Sequence, residues 1–264
     1  MPVAVDVSLP GGLFVEGERR QDAALRPLTG ADEAFLIEEA DGLSAPARAT
    51  TLLARCLERL GPFQPVPDDA VRALTAGDRE ALLLELRRLT FGERLECVLT
   101  CPQPGCGERM DLDLRVGDLL LGPYADARPE HEAGAVRFRL PTGADLEAAA
   151  EVAGDGLDRV EHVLLERCVL AGEPDSRIDD LMAELDPQAD LELAVACPAC
   201  GRELTVVFDA GEFLVREVGL GHDALLREIH LLALHYHWPE SELMGMTAGR
   251  RRRYLAYLAE ELGQ

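Results

Sequence analysis

Residues 106–121 read CGERMDLDLRVGDLLL, and residues 200–215 read CGRELTVVFDAGEFLV. The two segments align without a gap, so the chain carries two versions of one pattern. Each version begins with Cys-Gly and continues with apolar residues at every second position. Each then gives glycine, an acidic residue and three apolar residues. Because strict alternation is typical of a half-buried β-strand, both segments are predicted to begin as strands that leave a turn containing cysteine.

Each of these turns contains a second cysteine. Cys101 precedes Cys106 and Cys197 precedes Cys200, with a proline inside each loop and a glycine after it. A structural zinc ion requires four ligands in a tetrahedron, and each loop supplies two. We therefore predict one structural Zn²⁺ shared by all four cysteines. Four thiolates leave no open position for water, so this zinc is expected to be non-catalytic.

The repetition extends upstream of the cysteines. TGAD occurs at 29–32 and 142–145, and LLARC (52–56) returns as LLERC (164–168) in the same order. We interpret this as an internal duplication. The predicted fold class is α+β: an internally duplicated helical/β-hairpin unit with a shared zinc-ribbon-like four-cysteine site, plus a C-terminal helical arm. The predicted parts are a first repeat with an N-terminal arm (1–121), a linker (122–135), a second repeat (136–221) and the arm (222–264).

The helices of this scheme have recognisable ends. In each TGAD the Thr is expected to cap a helix and the Asp three residues later to complete a capping box. The segment APARATTLLARCLERLG (45–61) predicts a helix that ends at Gly61, and AGDREALLLELRRL (76–89) predicts another. In the arm, HDALLREIHLLALHYHW (222–238) predicts a helix that Pro239 terminates.

The composition and net charge of the chain argue against several classes of function. The chain has 264 residues, 47% of them hydrophobic, and a formal net charge of −23. This charge repels phosphate backbones and argues against nucleic-acid binding over a broad surface. The first residues lack the features of a signal peptide, and the apolar runs are too short to insert into a membrane. We therefore expect a cytoplasmic protein, in a compartment where paired cysteines bind metal rather than form disulfides.

The arm is the part of the chain where charge is nearly balanced, with six acidic residues and five arginines in 222–264. Arginine and aromatic residues are common interface anchors. We predict that the arm contacts a partner through Trp238, Arg250, Arg251, Arg252, Arg253 and Tyr254. The alternative is that these arginines pair with the protein's own carboxylates and that Trp238 is a core anchor.

Several segments also resemble a known family. They are LRPLTGADE, GDREALLLELRRLTFGERLECVLTCPQPGCGERMDL, RFRLPTGAD, CPACG and LLREIHLLALHYHWPESELMGMTAGRRRRYL. They are similar to baseplate-hub assembly chaperones of T-even-type contractile phages, and most of all to the larger, cysteine-bearing members found with bacterial phage-like contractile injection systems. The resemblance implies a non-enzymatic role in assembling or completing a baseplate. It also implies baseplate or hub proteins as partners, with the protein either incorporated into the particle or released after assembly.

Two other functions stay open at this point. One is a zinc-ribbon nucleic-acid-binding protein, although the cysteine loops lack the basic and aromatic residues usual for that class. The other is a hydrolase with an unrecognised site, although GxSxG and a glycine-rich phosphate loop are absent from the sequence. A metal with an open coordination position would favour the hydrolase.

Overall fold

The computed structural model describes residues 2–174 and 177–263, apart from the side chain of Asp41. It combines helices and sheets, which confirms the predicted α+β class. The strands are β1 (Val5–Val15), β2 (Glu18–Leu25), β3 (Leu57–Leu60), β4 (Arg94–Thr100), β5 (Arg109–Arg115), β6 (His131–Ala133), β7 (Val136–Phe138), β8 (Val169–Ala171), β9 (Leu191–Ala196) and β10 (Glu203–Phe208). The helices are α1 (Gly30–Ala34), α2 (Ala45–Cys56), α3 (Asp68–Arg72), α4 (Ala76–Phe91), α5 (Val116–Leu119), α6 (Gly143–Glu151), α7 (Leu157–Cys168), α8 (Arg177–Leu185), α9 (Ala210–Tyr236), α10 (Glu240–Met244) and α11 (Ala248–Leu262).

The first part of the chain is built on the antiparallel sheet β1-β2-β3. Its third strand corrects the helix predicted over residues 45–61. Helix α2 ends at Cys56, because the next residues pair with β2 in the register Ala23↔Leu60. Leu57 and Leu60 are both buried in this pairing. Their spacing also suits one face of a helix, so the sequence pattern alone could not separate the two outcomes.

The main core forms around α4. Ala81 and the leucines at 82, 83, 84 and 86 are all buried against the first sheet and α2. The apolar sides of the hairpins β4-β5 and β9-β10 and the start of α9 join the same core through Leu95, Leu191 and Leu214. The core therefore links segments from both halves of the sequence. The predicted helix over 76–89 is confirmed.

The second part of the chain has a smaller sheet, β6-β7-β8, which packs on α7 and α8 through Phe138 and Ile178. Strand β6 lies inside the segment predicted as a linker, 122–135. That segment is also held by Tyr124, whose N–H donates to the Pro10 carbonyl at 2.9 Å. The segment is therefore ordered against both parts of the chain, and its proline and glycine content marks turns rather than a free connection.

The two TGAD turns start α1 and α6 with complete capping boxes, as predicted. In the first turn, the Thr29 backbone N–H donates to Asp32 at 3.0 Å, and Arg26 Nη1 donates to the same carboxylate at 2.6 Å. Arg55, at the end of α2, donates to its other oxygen at 3.0 Å. Burial alone would raise the pKa of Asp32, but the bonds from Arg26 and Thr29 outweigh burial and hold the pKa below its ordinary value.

The second turn has the same set of bonds. The Thr142 N–H donates to Asp145 at 2.9 Å, and Arg167, at the end of α7, donates to it at 2.8 Å. Arg139 occupies the place of Arg26 and bonds to both Asp145 oxygens. Despite complete burial, these donors hold the pKa of Asp145 far below its usual range. Each turn is therefore a buried carboxylate held by two arginines and a helix start.

The C-terminal region continues from the second hairpin without a break. Helix α9 runs from Ala210 to Tyr236, so the boundary predicted between residues 221 and 222 lies within a helix. His237 then takes a left-handed conformation, with φ of 57°, and ends α9 before α10 and α11 fold back on it. A second small core holds these helices together through Leu225, Leu232 and Leu243.

Candidate metal centre

The two cysteine loops are the turns of two antiparallel hairpins. Hairpin β4-β5 pairs Arg94 with Arg115 through to Thr100 with Arg109, and its turn holds Cys101 and Cys106. Hairpin β9-β10 ends in the same way at Cys197 and Cys200. Both cysteine loops therefore connect two antiparallel strands, as the predicted helical/β-hairpin unit requires.

Each loop folds its backbone in the same manner. The N–H of Cys101 donates to the Glu108 carbonyl at 2.8 Å, and the N–H of Cys197 donates to the Arg202 carbonyl at 2.8 Å. Gly107 and Gly201, each directly after the second cysteine, have φ of 65° and 71°. An L side chain is strained in that conformation, so glycine allows the loop to reverse direction beneath the sulfurs.

The four sulfurs lie together. Cys101 Sγ is 3.8 Å from Cys200 Sγ, and Cys106 Sγ is 3.8 Å from Cys197 Sγ, so both close pairs join the two hairpins. All four ligand atoms lie within 4.8 Å of one another. Bonds of about 2.3 Å to a tetrahedral zinc place sulfurs about 3.8 Å apart. The set therefore fits a tetrahedral thiophilic ion.

The groups around Cys197 favour the thiolate form of its side chain. The backbone N–H groups of Cys200 and Ala199 point at Cys197 Sγ and lower the pKa of that thiol to about 7. Cys101 and Cys197 are buried against Leu99, Met110, Val195 and Leu204, whereas Cys200 is exposed. The amide donors supply negative-charge stabilisation, and the apolar residues exclude water from one side of the cluster.

Cys56, Cys97 and Cys168 lie outside this cluster. Cys56 and Cys168 end α2 and α7 and are fully buried, and burial raises the pKa of their thiols to about 12 and about 11. Cys97 is half-buried within β4. They therefore occupy packing positions, as their places at matching helix ends and on a strand indicate.

The predicted partner-binding residues of the arm divide into two groups. Trp238 is half-buried, stacked on Tyr236 at 4.8 Å between ring centroids and in edge contact with Tyr254 at 5.0 Å. Arg250 and Arg253 are exposed, and Arg252 lies 3.8 Å from Glu228. Among residues 2–174 and 177–263, the structure gives no carboxylate within salt-bridge distance of Arg250 or Arg253.

Arg251 differs from its neighbours because its side chain is 1% exposed. It donates to Glu33 at 3.0 Å, to Glu228 at 2.8 Å and to the Met246 carbonyl at 2.8 Å. This residue fastens α11 to α1 and α9 and is not available on the surface. Arg251 therefore pairs with the protein's own carboxylates, which was the alternative to a partner contact.

The sequence profile that describes T4 bacteriophage base plate proteins matches residues 18–170, more than half of the chain. The chain belongs to this base plate protein family. The match covers both TGAD turns, α4 and the first cysteine hairpin. It ends before Cys197, Cys200 and the arm, so these parts are described by this chain's structure alone.

No other comparison adds a relative of this base plate protein. No curated protein matches the chain, and no solved structure matches it. Within the described residues, none of the helices combines the length and apolar character required for crossing a bilayer.

A second internal similarity in this base plate protein was not predicted from the sequence. Residues 67–79, PDDAVRALTAGDR, align without a gap with residues 239–251, PESELMGMTAGRR, and five positions are identical. The structures agree as well: a short helix follows each proline, and Thr75 and Thr247 then cap α4 and α11. Self-comparison of the sequence with α4 against the arm would have found it.

Each of these two segments packs on one TGAD turn. Thr247 forms an isolated β-bridge with Thr29, and Thr75 forms one with Thr142. The Gly30 N–H donates to the Met246 carbonyl at 3.0 Å, and the Gly143 N–H donates to the Leu74 carbonyl at 3.0 Å. The arm therefore contacts the first turn as α4 contacts the second.

Proposed function

We propose that this base plate family protein is a non-enzymatic assembly or structural component of a phage-tail-like contractile particle, stabilised by one Zn²⁺ bound to Cys101, Cys106, Cys197 and Cys200. The family match over residues 18–170 carries the proposal. Assembly in the reducing cytoplasm, with baseplate or hub proteins as partners, is part of it.

The geometry of the cysteine cluster supports the zinc part. Both close sulfur pairs are formed between hairpins, so an ion here joins segments 96 residues apart (Cys101 to Cys197). Four thiolates saturate a tetrahedral zinc and leave no position for an activated water. The proposed role of the ion is therefore mechanical: it holds the two hairpins in register.

Three observations support an internal duplication as the origin of this arrangement. The two TGAD turns have equivalent arginine bonds, the two cysteine loops have equivalent backbone bonds, and the segments that begin at Pro67 and Pro239 align. A duplicated unit explains why each half supplies two of four ligands.

The surface proposed for the partner is the exposed side of the arm. It comprises Arg250, Arg253 and the accessible edge of Tyr254, with Trp238 supporting Tyr254 from behind. Two arginines that form no salt bridge with the described residues, beside an aromatic ring, are a typical interface anchor. Arg251 is excluded from this surface because it is buried.

The proposal is tested in the host that produces the particle. Deletion of the chain should lower the yield of assembled contractile particles, counted by sedimentation and electron microscopy, and the wild-type chain should restore it. Purified protein should contain one zinc per chain by elemental analysis. Cys197→Ser should fail to restore assembly, whereas the matched control Cys97→Ser, outside the cluster, should restore it.

Two results would contradict the proposal separately. Normal particles in the deletion strain would remove the assembly role. Purified protein without stoichiometric zinc would remove the metal, whatever the particle yield.

A further inference from the structure

The starts of α4 and α11 are the same sequence in two different environments. Thr75-Ala76-Gly77 and Thr247-Ala248-Gly249 each begin with a threonine whose side chain accepts a hydrogen bond from the residue three positions on, at 3.3 Å. One of these helix starts is covered by other parts of the chain, and the other is open. The covered copy shows what this structure binds.

At α4 the helix start holds a carboxylate. The Gly77 N–H donates to Asp186 Oδ2 at 2.9 Å, and Tyr124 donates its hydroxyl to Asp186 Oδ1 at 2.8 Å. A Cβ at Gly77 would overlap this carboxylate, so glycine is required for the close approach. The positive end of the helix dipole and the free N–H groups of the first turn stabilise the negative charge.

At α11 no described residue occupies the equivalent place. Gly249 is exposed, and a Cβ there would meet no heavy atom within 4 Å among the described residues. Alanine would be the better helix former at such a position, so local helix stability gives no reason for glycine. A depression of about 650 Å³ lies there, lined by Thr247, Gly249, Arg250, Arg253, Tyr254 and Tyr257.

The charge beside the two glycines is reversed. Asp78 follows Gly77 and accepts from the N–H groups of Gly11 and Gly12 at 2.7 and 2.8 Å. Arg250 follows Gly249 and faces solvent, with Arg253 one turn later. Cations at a helix start are opposed by the dipole, and a bound anion relieves that repulsion. The side chain at position 78 of α4 therefore accepts from N–H donors, whereas the side chain at position 250 of α11 requires acceptors.

We infer that this depression binds an acidic segment of a partner protein, with a carboxylate at the Gly249 N–H where Asp186 sits at Gly77. The inference rests on the proposed function in one respect: the partner is taken to be a baseplate protein. Arg250 and Arg253 pair with the flanking acids, and Tyr257, 57% exposed, covers the segment's apolar side. A second copy of this chain is disfavoured by the net charge of −23 that each copy carries.

The chain supplies its own probe. A synthetic peptide of residues 179–190, DDLMAELDPQAD, contains the segment that places Asp186 at α4. It is titrated into the zinc-loaded, ¹⁵N-labelled full chain while the amide signal of residue 249 is followed by NMR. We expect a saturable shift of that amide, and binding at least tenfold weaker for the peptide carrying Asp186→Asn.

Substitution of the glycine separates binding from folding. Gly249→Ala should raise the Kd for the peptide at least tenfold while zinc content is retained and Tm does not fall, since alanine strengthens an open helix position. The matched control is Gly219→Ala in α9, another helical glycine with nothing within 4 Å, which should bind as the wild type does. Arg250→Ala with Arg253→Ala should also weaken binding and reduce its salt dependence.

Three outcomes would overturn the inference: no shift at residue 249, equal binding by the Asp186→Asn peptide, or full binding by Gly249→Ala. Concentration-dependent dimerisation that Gly249→Ala abolishes, measured by sedimentation, would make the occupant a second copy and also overturn it. The peptide assay needs no baseplate, so its failure leaves the proposed function standing. Normal particles in the deletion strain would remove that function and leave the peptide result intact.

Discussion

Asp32 and Asp145 occupy the same place in two parts of the molecule whose cores differ greatly. Helix α2, which sends Arg55 to Asp32, buries Thr50, Leu52, Leu53 and Cys56 in the main core. Helix α7, which sends Arg167 to Asp145, buries only Cys168 among its residues. The carboxylates are nevertheless equally inaccessible, with side chains 2% and 0% exposed.

This difference shows that the polar turn does not depend on a large apolar core around it. Two arginines, two bonds from the threonine and a helix start enclose the carboxylate in both places. A buried carboxylate is stable only when all of its hydrogen-bond and ion-pair partners are in place. The turn therefore fixes the geometry of the helices that carry these partners. In the second part, where few apolar residues are buried, the turn carries a larger share of that task.

The largest expected effect tests whether the two halves share one metal. The double variants Cys101→Ser/Cys106→Ser and Cys197→Ser/Cys200→Ser should each reduce bound zinc from one per chain to none. Each should remove stabilisation on the order of 10 kcal/mol from the hairpins, since a two-ligand half-site binds zinc weakly. Elemental analysis and urea denaturation at equal free zinc measure this.

Cys97→Ser is the control and should keep both the metal and the stability. If either double variant retained half of the zinc, the halves would bind metal separately and the shared site would be wrong.

The next effect compares the two turns directly. Asp32→Asn and Asp145→Asn each leave two arginines facing a neutral amide, and breaking a buried ion pair by changing one partner costs about 3–5 kcal/mol. We expect losses in this range for both, with a larger fractional loss of local protection around Asp145, where the core is smaller. Urea denaturation gives the first quantity and hydrogen exchange of α6 and α7 the second.

The pH dependence of the same variants has a definite sign. Both carboxylates have folded-state pKa values below the ordinary value of 3.8. Their contribution to stability is therefore present above about pH 4 and is lost as the pH falls through the folded pKa. The difference in unfolding free energy between wild type and Asp145→Asn should shrink below pH 4. A difference that stayed constant down to pH 2 would mean that the charge of Asp145 is not what the arginines stabilise.

Each half of the cysteine cluster and each capped turn could be predicted because these features depend on residues close together in the chain. Two cysteines at ligand spacing indicate half a zinc site, and Thr followed by Asp at the third position indicates a helix start. The hairpin β1-β2 was not predicted. Pro10, Gly11 and Gly12 interrupt the alternation of β1, and the strand register shifts between Ser8 and Leu13.

The burial of Arg251 could not be predicted for a different reason. It lies within a run of four arginines that reads as a solvated surface, and one of its partners, Glu33, is 218 residues away. Only the packing of α11 on the first TGAD turn brings the two together. The equivalent arginine of α4, Arg79, is buried at the second turn, so the two can be compared.

The smallest of these effects comes from that comparison. Arg251 bonds to two carboxylates, whereas Arg79 donates to the carbonyls of Pro46 and Val71 at 2.8 and 3.4 Å. Leu146 stands in the second turn where Glu33 stands in the first, four residues after the threonine. Burial lowers the pKa of Arg79 to about 10, and the nearby charges of Glu147 and Glu80, which are not hydrogen-bonded to it, offset only part of that effect.

Arg251→Met should therefore cost about 3 kcal/mol, because it leaves Glu33 buried without its cation. Arg79→Met should cost about 1 kcal/mol, because it removes hydrogen bonds to carbonyls and leaves no unpaired carboxylate bonded to it. The difference of about 2 kcal/mol is measured by urea denaturation at pH 7. Adding Glu33→Leu to Arg251→Met, which copies the residue of the second turn, should recover part of the loss. Equal costs for the two methionine variants, or no recovery in the double variant, would mean that the arginines act by filling space and that the carboxylates of the first turn do not determine the cost.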